Sequence, residues 1–154
     1  MIPLNLWEHQ NAIKTLYAKC VGVVCEKYQI SRMELDILLF LANNPRYDTA
    51  TDIVEIRYLS KSQVSGAIKL LEERGWIDKF YTGDNRKTAH LRIGEGAAAV
   101  IADGKKAQEM FFDVMMHGFT QEEIDYMRGY TSRIWNNING YLKSDDRSGM
   151  SAPG

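Results

Sequence analysis

The chain has 154 residues, 45% of them apolar, and a formal net charge of -1, which suits one globular domain with a sizeable core. No apolar run approaches the roughly 18 residues a membrane-spanning helix needs. The opening "MIPLNLWEHQ" lacks the basic end and long apolar segment of a secretory signal, so a cytoplasmic location without membrane attachment is expected.

In chain order, Leu4 to about Tyr28 reads as a helix, with Leu6, Ile13, Leu16, Tyr17, Val21 and Val24 recurring at helical spacings. Cys20 and Cys25 both fall in it, about 140° apart around the axis, which excludes a disulfide between them; no CxxC or CxxH spacing suggests zinc. "SRMELDILLFLANNP" opens on a capping box, Ser31 with Glu34, and closes at Asn43, Asn44 and Pro45. A short helix over "ATDIVEIRY" follows, with Asp48 or Thr49 as its N-cap. "YLSKSQVSGAIKLLEERGW" begins with another box, Ser60 with Gln63, and forms a fourth helix.

After Trp76 the period changes from helical to alternating. "WIDKFY" and "TAHLRI" flank the turn chemistry of "TGDNRK", so Trp76 to Ile93 is expected to be a β-hairpin with a charged tip. "EGAAAVIADGKKAQEMFFDVMMHGF" returns to helix and stops near Gly118. "TQEE" is a further capping box for a last helix to about Leu142, and the polar stretch 143–154 is expected to be disordered. The fold class is therefore mainly α with a small β-hairpin.

On a wheel of about 100° per residue with Val64 at zero, Ala67, Ile68 and Leu71 fall near 300°, 40° and 340°, one apolar stripe. Ser62, Ser65, Gly66 and Lys69 fall near 160°, 100°, 200° and 140°, so small, hydrogen-bonding and basic groups make the opposite face. A solvated helix face would favour long helix formers, and an interior glycine costs roughly 1 kcal/mol relative to alanine. A slim face with donors is what a helix entering the major groove needs. With the preceding short helix and the turn at Tyr58 and Leu59, the pattern is a helix-turn-helix.

Charge is distributed to match. Arg57 to Arg92 holds eight bases against four acids, a local net of +4, which leaves -5 for the remainder. Arg86 and Lys87 sit at the hairpin tip, where a protruding arginine suits the minor groove, and Asp84 is assigned the role of orienting Arg86.

These features together resemble the MarR family of bacterial winged-helix transcriptional regulators, over about Leu4 to Leu142. The most specific matches are "LSKSQVSGAIKLLEERGWI" and "DNRKTAHLRI", the latter similar to the family's D-x-R pattern followed by a strand. The resemblance implies a winged helix-turn-helix domain over 31–93 and long terminal dimerisation helices over 1–30 and 95–142, all one MarR-like unit. It implies that Ser62, Gln63, Ser65, Gly66 and Lys69 face the major groove, and that Arg86 reaches the minor groove with Asp84 holding it; Lys61 and Lys87 are expected as further DNA-binding residues. It further implies a homodimer on a pseudo-palindromic DNA operator with half-sites roughly 34 to 36 Å apart. One departure is "IGEG", where the family often has a threonine cap.

Such regulators commonly act as repressors that release DNA on binding a small aromatic or anionic effector. Tyr17, Met33, Ile37, Met110 and Phe111 are candidate pocket walls, with plain core or dimer interface as the competing assignment. Redox sensing through Cys20 or Cys25 is the alternative mechanism, although free cysteine is usually a small hydrophobe; Lys19 and Lys27 would favour a thiolate only by approaching the sulfur. His9, His90 and His117 are scattered, so no metal is expected, and no cofactor is implied. The sequence has no HExxH, GxSxG, P-loop or GxGxxG, and "GEGAAAVIADG" lacks a phosphate-holding lysine, so no enzyme is expected. A winged helix that docks proteins instead of DNA is the remaining alternative.

Overall fold

The computed structural model describes residues 6–148, with side-chain surroundings for 8–145. The order is α1 (Leu6–Tyr28), α2 (Arg32–Asn43), α3 (Ala50–Arg57), α4 (Lys61–Glu73), β1 (Ile77–Phe80), β2 (His90–Ile93), a 3-10 turn (Glu95–Ala97), α5 (Ala98–Met115) and α6 (Gln121–Ser148). No helix among the described residues is long and apolar enough to cross a membrane. The chain divides into two compact units, one ending at Phe112 and the other beginning at Asp113.

Local capping chemistry sets the helix starts. Ser31 Oγ accepts from the Glu34 N–H, and the Ser31 N–H donates to Glu34 Oε1 at 3.0 Å, a complete capping box. Of the two candidate caps for α3, Thr49 takes the position, in a complete box with Asp52. The α4 start is half of what the sequence suggests. Ser60 accepts from the Gln63 N–H, but Gln63 does not return to the Ser60 backbone; the Ser60 hydroxyl donates to Gln63 Oε1 at 3.0 Å instead.

The core of the first unit joins α1 through Cys20, Val21 and Val24, α2 through Leu35 to Leu41, α3 through Ile53, and α4 through Val64, Ala67, Ile68 and Leu71. Ile77 and Leu91 close it from the strands, and Ala97, Val100 and Ala107 from the segment that follows. Fully burying a Val, Ile or Leu side chain contributes roughly 1.5–3 kcal/mol. The stripe on α4 therefore outweighs the roughly 1 kcal/mol that Gly66 costs that helix.

Among the described residues, one charged side chain is buried. Glu34 is 3% exposed, and besides its cap it receives Arg74 Nε at 3.2 Å. Arg74 also donates to the Gln29 carbonyl at 2.8 Å and lies 5.3 Å from the Trp76 ring centroid. One guanidinium thus fastens the α1–α2 corner to the end of α4. A second polar link joins α1 to α5: Lys27 and Tyr28 both donate to Asp103, at 2.6 and 2.8 Å. These hydrogen bonds hold the Asp103 carboxyl below its ordinary pKa and push Lys27 and Tyr28 above theirs.

β1 and β2 pair antiparallel, Ile77 with Ile93 through Phe80 with His90. The strands are shorter than the alternation over Trp76 to Ile93 suggests, and residues 81–89 form a broader wing. The Asn85 side chain accepts from the Lys87 N–H at 2.9 Å, which turns the backbone away from a strand path. At its base the hairpin gains a third partner from the α2–α3 connection: Leu91 N–H donates to the Asp48 carbonyl at 2.7 Å, Thr49 bridges His90, and His90 Nδ1 lies 2.7 Å from Asp48 Oδ1.

The glycine of "IGEG" that replaces the threonine cap is a packing requirement. A Cβ on Gly94 would lie 2.6 Å from the Gly75 carbonyl oxygen, so no larger residue fits where the chain leaves β2. α5 ends before Gly118, whose φ of +84° suits glycine. In the second unit, Thr120 and Glu123 cap α6 reciprocally, as "TQEE" suggests. α6 continues to Ser148, six residues past the expected end at Leu142. Polarity there removes core packing but not helix propensity, and no glycine or proline intervenes before Gly149. α6 thus takes in 143–148 of the stretch expected to be disordered, and residues 149–154, like the Leu4 start of the first helix, lie outside the described residues.

Replacing Arg74 with alanine leaves the Glu34 carboxylate buried without its cation. The expected loss is about 1.5–3 kcal/mol, seen as a lower urea midpoint; an unchanged midpoint would show that the pair does not hold α4.

Candidate nucleic-acid interface

α3, a three-residue turn and α4 form the helix-turn-helix. The turn is made by Tyr58 in the left-handed region (φ 52°, ψ 46°), with the Leu59 N–H donating to the Val54 carbonyl at 3.2 Å. With Val64, Ala67, Ile68 and Leu71 turned inward, Lys61, Ser62, Gln63, Ser65, Gly66 and Lys69 are all exposed. At Gly66 a Cβ would meet nothing within 4 Å, so the residue is a gap in the outward face and not a close contact inside the fold.

Ion pairing divides the bases of the Arg57–Arg92 segment into two sets. Arg57 pairs with Asp36 at 3.8 Å, Arg74 with Glu34, Lys79 with Glu72 at 2.8 Å, and Arg92 with Asp78 at 3.8 Å. Lys61, Lys69, Arg86 and Lys87 enter no ion pair among the described residues. The uncommitted positive charge is therefore on the outward face of α4 and on the wing.

Asp84, Arg86 and Lys87 are all exposed on the wing. Arg86 is not held by Asp84, with which it makes no ion pair; its guanidinium lies 5.9 Å from the centroid of the Tyr81 ring. Sequence reasoning passed over Tyr81, although an aromatic residue at the exit of a strand, five positions before an arginine, was a usable signal.

A cavity of about 280 Å³ opens between α3 and α4, lined by Ala50, Thr51, Val54, Glu55, Lys61 and Ser65. A second, of about 380 Å³, lies between the α2–α3 connection and the hairpin, with Tyr47, Phe80 and Arg92 in its wall. Neither takes in Tyr17, Met33, Ile37, Met110 or Phe111. Tyr17 and Phe111 meet edge to face at 5.1 Å, and Gln108 donates to the Tyr17 hydroxyl. Ile37 is core, Met33 packs against the core, and Met110 is 60% exposed.

Cys20 is buried and Cys25 half-buried, both as free thiols. Burial pushes the Cys25 thiol up, an effect that the nearby Arg32 only partly offsets and Asp36 reinforces. Lys27 is committed to Asp103. A raised pKa means less thiolate at neutral pH, the opposite of an activated sulfur. Among the described residues, no group of three or more His, Cys, Asp or Glu is placed to hold a metal ion.

The fold and this surface define a winged helix-turn-helix. Residues 28–86, which span α2 to the wing, match the MarR family model. The structure is similar to that of a protein from Listeria monocytogenes assigned as a MarR-family transcriptional regulator and solved with a 26-mer DNA. The two share 19% identity over 98% of this chain and 99% of that one, with a TM-score of 0.81. An uncharacterised SlyA-like transcription regulator from the same organism aligns over 100% of both chains at 20% identity and a TM-score of 0.79. The S. aureus MepR–DNA complex aligns over 88% of this chain and 96% of that one, at 12% identity and a TM-score of 0.69. No curated protein matches the chain in sequence.

The thiols yield a direct prediction. Alkylation of the folded protein at neutral pH is expected to be slower than that of free cysteine at both positions, with Cys25 reacting faster as pH rises toward its raised pKa and Cys20 reacting mainly on unfolding. Rapid modification at neutral pH, read by mass spectrometry, would contradict the burial argument.

Proposed function

We propose that the chain is a DNA-binding transcriptional regulator in which α4 reads the major groove and the wing reaches the minor groove. The observation that carries this reading is the split in ion pairing. The segment's other bases are committed to acids, whereas Lys61, Lys69, Arg86 and Lys87 face outward without such partners among the described residues, beside Ser62, Gln63 and Ser65. Lysines suit phosphates, small polar side chains reach base edges, and the gap at Gly66 allows the helix backbone to approach the duplex. The listerial relative solved with DNA supports the assignment by fold.

The working form in this proposal is a homodimer on a pseudo-palindromic operator, with 1–30 and 95–142 as dimerisation helices. α6 displays Tyr126, Tyr130, Ile134, Ile138 and Tyr141 exposed at spacings of three and four, an apolar stripe that a partner copy would cover. Release of DNA on binding a small aromatic or anionic effector, and hence repression, completes the reading. The raised Cys25 pKa weighs against that thiol as an activated oxidant sensor.

The test begins with duplexes recovered by the purified protein from fragmented genomic DNA. Binding to a recovered duplex should greatly exceed binding to its scrambled counterpart and fall steeply with salt; equal binding to both would overturn the proposal. Arg86→Ala is expected to weaken binding about tenfold, roughly 1.4 kcal/mol, with melting temperature unchanged; unaltered affinity would remove the wing from the interface. Gly66→Leu should stabilise α4 by about 1 kcal/mol yet impair binding, and normal affinity in that variant would exclude close backbone approach.

A further inference from the structure

We infer that Tyr81 is the positioning residue of the wing: its ring holds the Arg86 guanidinium in place for the minor groove. The inference rests on the DNA-binding reading above and adds a residue to it. Tyr81 directly follows β1, so its backbone is anchored to the paired strand end at Phe80 and His90. From there the wing is folded by its own contacts. Asn85 N–H donates to the Thr82 carbonyl at 3.2 Å, Gly83 sits at φ +55°, and the Asn85 side chain accepts from the Lys87 and Thr88 N–H groups. This path doubles the chain back and brings Arg86 over Tyr81, with the guanidinium carbon 5.9 Å from the ring centroid.

The arrangement suits the task. An arginine on a long stem loses rotamer freedom when it enters a groove, and a guanidinium resting on an aromatic face has already lost part of it. The ring attracts the cation through its quadrupole and leaves the N–H donors free at the guanidinium edge, which an ion pair with Asp84 would occupy. The second wing arginine follows the same pattern: Arg92 lies 5.7 Å from the Phe80 ring centroid, although it also pairs with Asp78. Tyr81 is 42% exposed, so its removal uncovers little core.

The experiment measures affinity for a duplex recovered from genomic fragments, using full-length wild type, Tyr81→Leu, Tyr81→Phe, Arg86→Ala and the Tyr81→Leu, Arg86→Ala double variant. Tyr81→Leu should weaken binding about two- to fivefold, the range of an exposed cation–π contact. Tyr81→Phe, which keeps the ring and loses the hydroxyl, should bind like wild type. The double variant should be no weaker than Arg86→Ala alone. Wild-type affinity in Tyr81→Leu, an equal loss in Tyr81→Phe, or additive losses in the double variant would overturn the inference while DNA binding itself stands. Failure of the wild-type chain to prefer the recovered duplex would instead overturn the underlying reading.

Discussion

The organisation of the winged helix depends on the apolar stripe of α4. Val64, Ala67, Ile68 and Leu71 are buried, and because they recur at helical spacing they fix the rotation of the helix about its axis. Everything on the far side is then committed to face outward, including Ser62, Gln63, Ser65, Gly66 and Lys69. A single polar change in the stripe would do more than weaken the core, since it would release the rotation that aims the other face. The Glu34–Arg74 pair restrains the same helix at its C-terminal end and the Ser60 cap at its start.

Electrostatics refine what packing has set. A basic segment is often only a solvated face, and half of the bases between Arg57 and Arg92 are of that kind or hold the fold through Asp36, Glu34, Glu72 and Asp78. The other half stands on α4 and the wing without ion pairs among the described residues. Net charge therefore understates the difference between the two sets, because an arginine already beside a carboxylate has less to offer a phosphate.

Local chemistry was legible in the sequence and long-range chemistry was not. The boxes at Ser31 and Glu34 and at Thr120 and Glu123 are closed by residues three apart, so a short window contains both partners, although the same spacing at Ser60 and Gln63 closes only one half. The stripe of α4 was equally legible, since periodicity alone orients it. By contrast, the requirement for glycine at Gly94 comes from the Gly75 carbonyl, and the shortened strands come from the Asn85 turn and the docking of Asp48 against Leu91. The wing shows the limit most clearly. Opposite charges two residues apart suggested that Asp84 orients Arg86, whereas the folded loop presents the Tyr81 ring. Helical spacing likewise names apolar residues without saying which way they point: Ile37 fills the core, whereas Met110 is exposed.

The central claim is that α4 occupies the major groove while the wing occupies the minor groove beside it. Methylation interference on a recovered duplex separates the two, because dimethyl sulfate modifies guanine N7 in the major groove and adenine N3 in the minor groove. The account predicts interference at guanine N7 in two patches about one helical turn apart, flanked by interference at adenine N3. Interference confined to the minor groove, or absent from both, would contradict it.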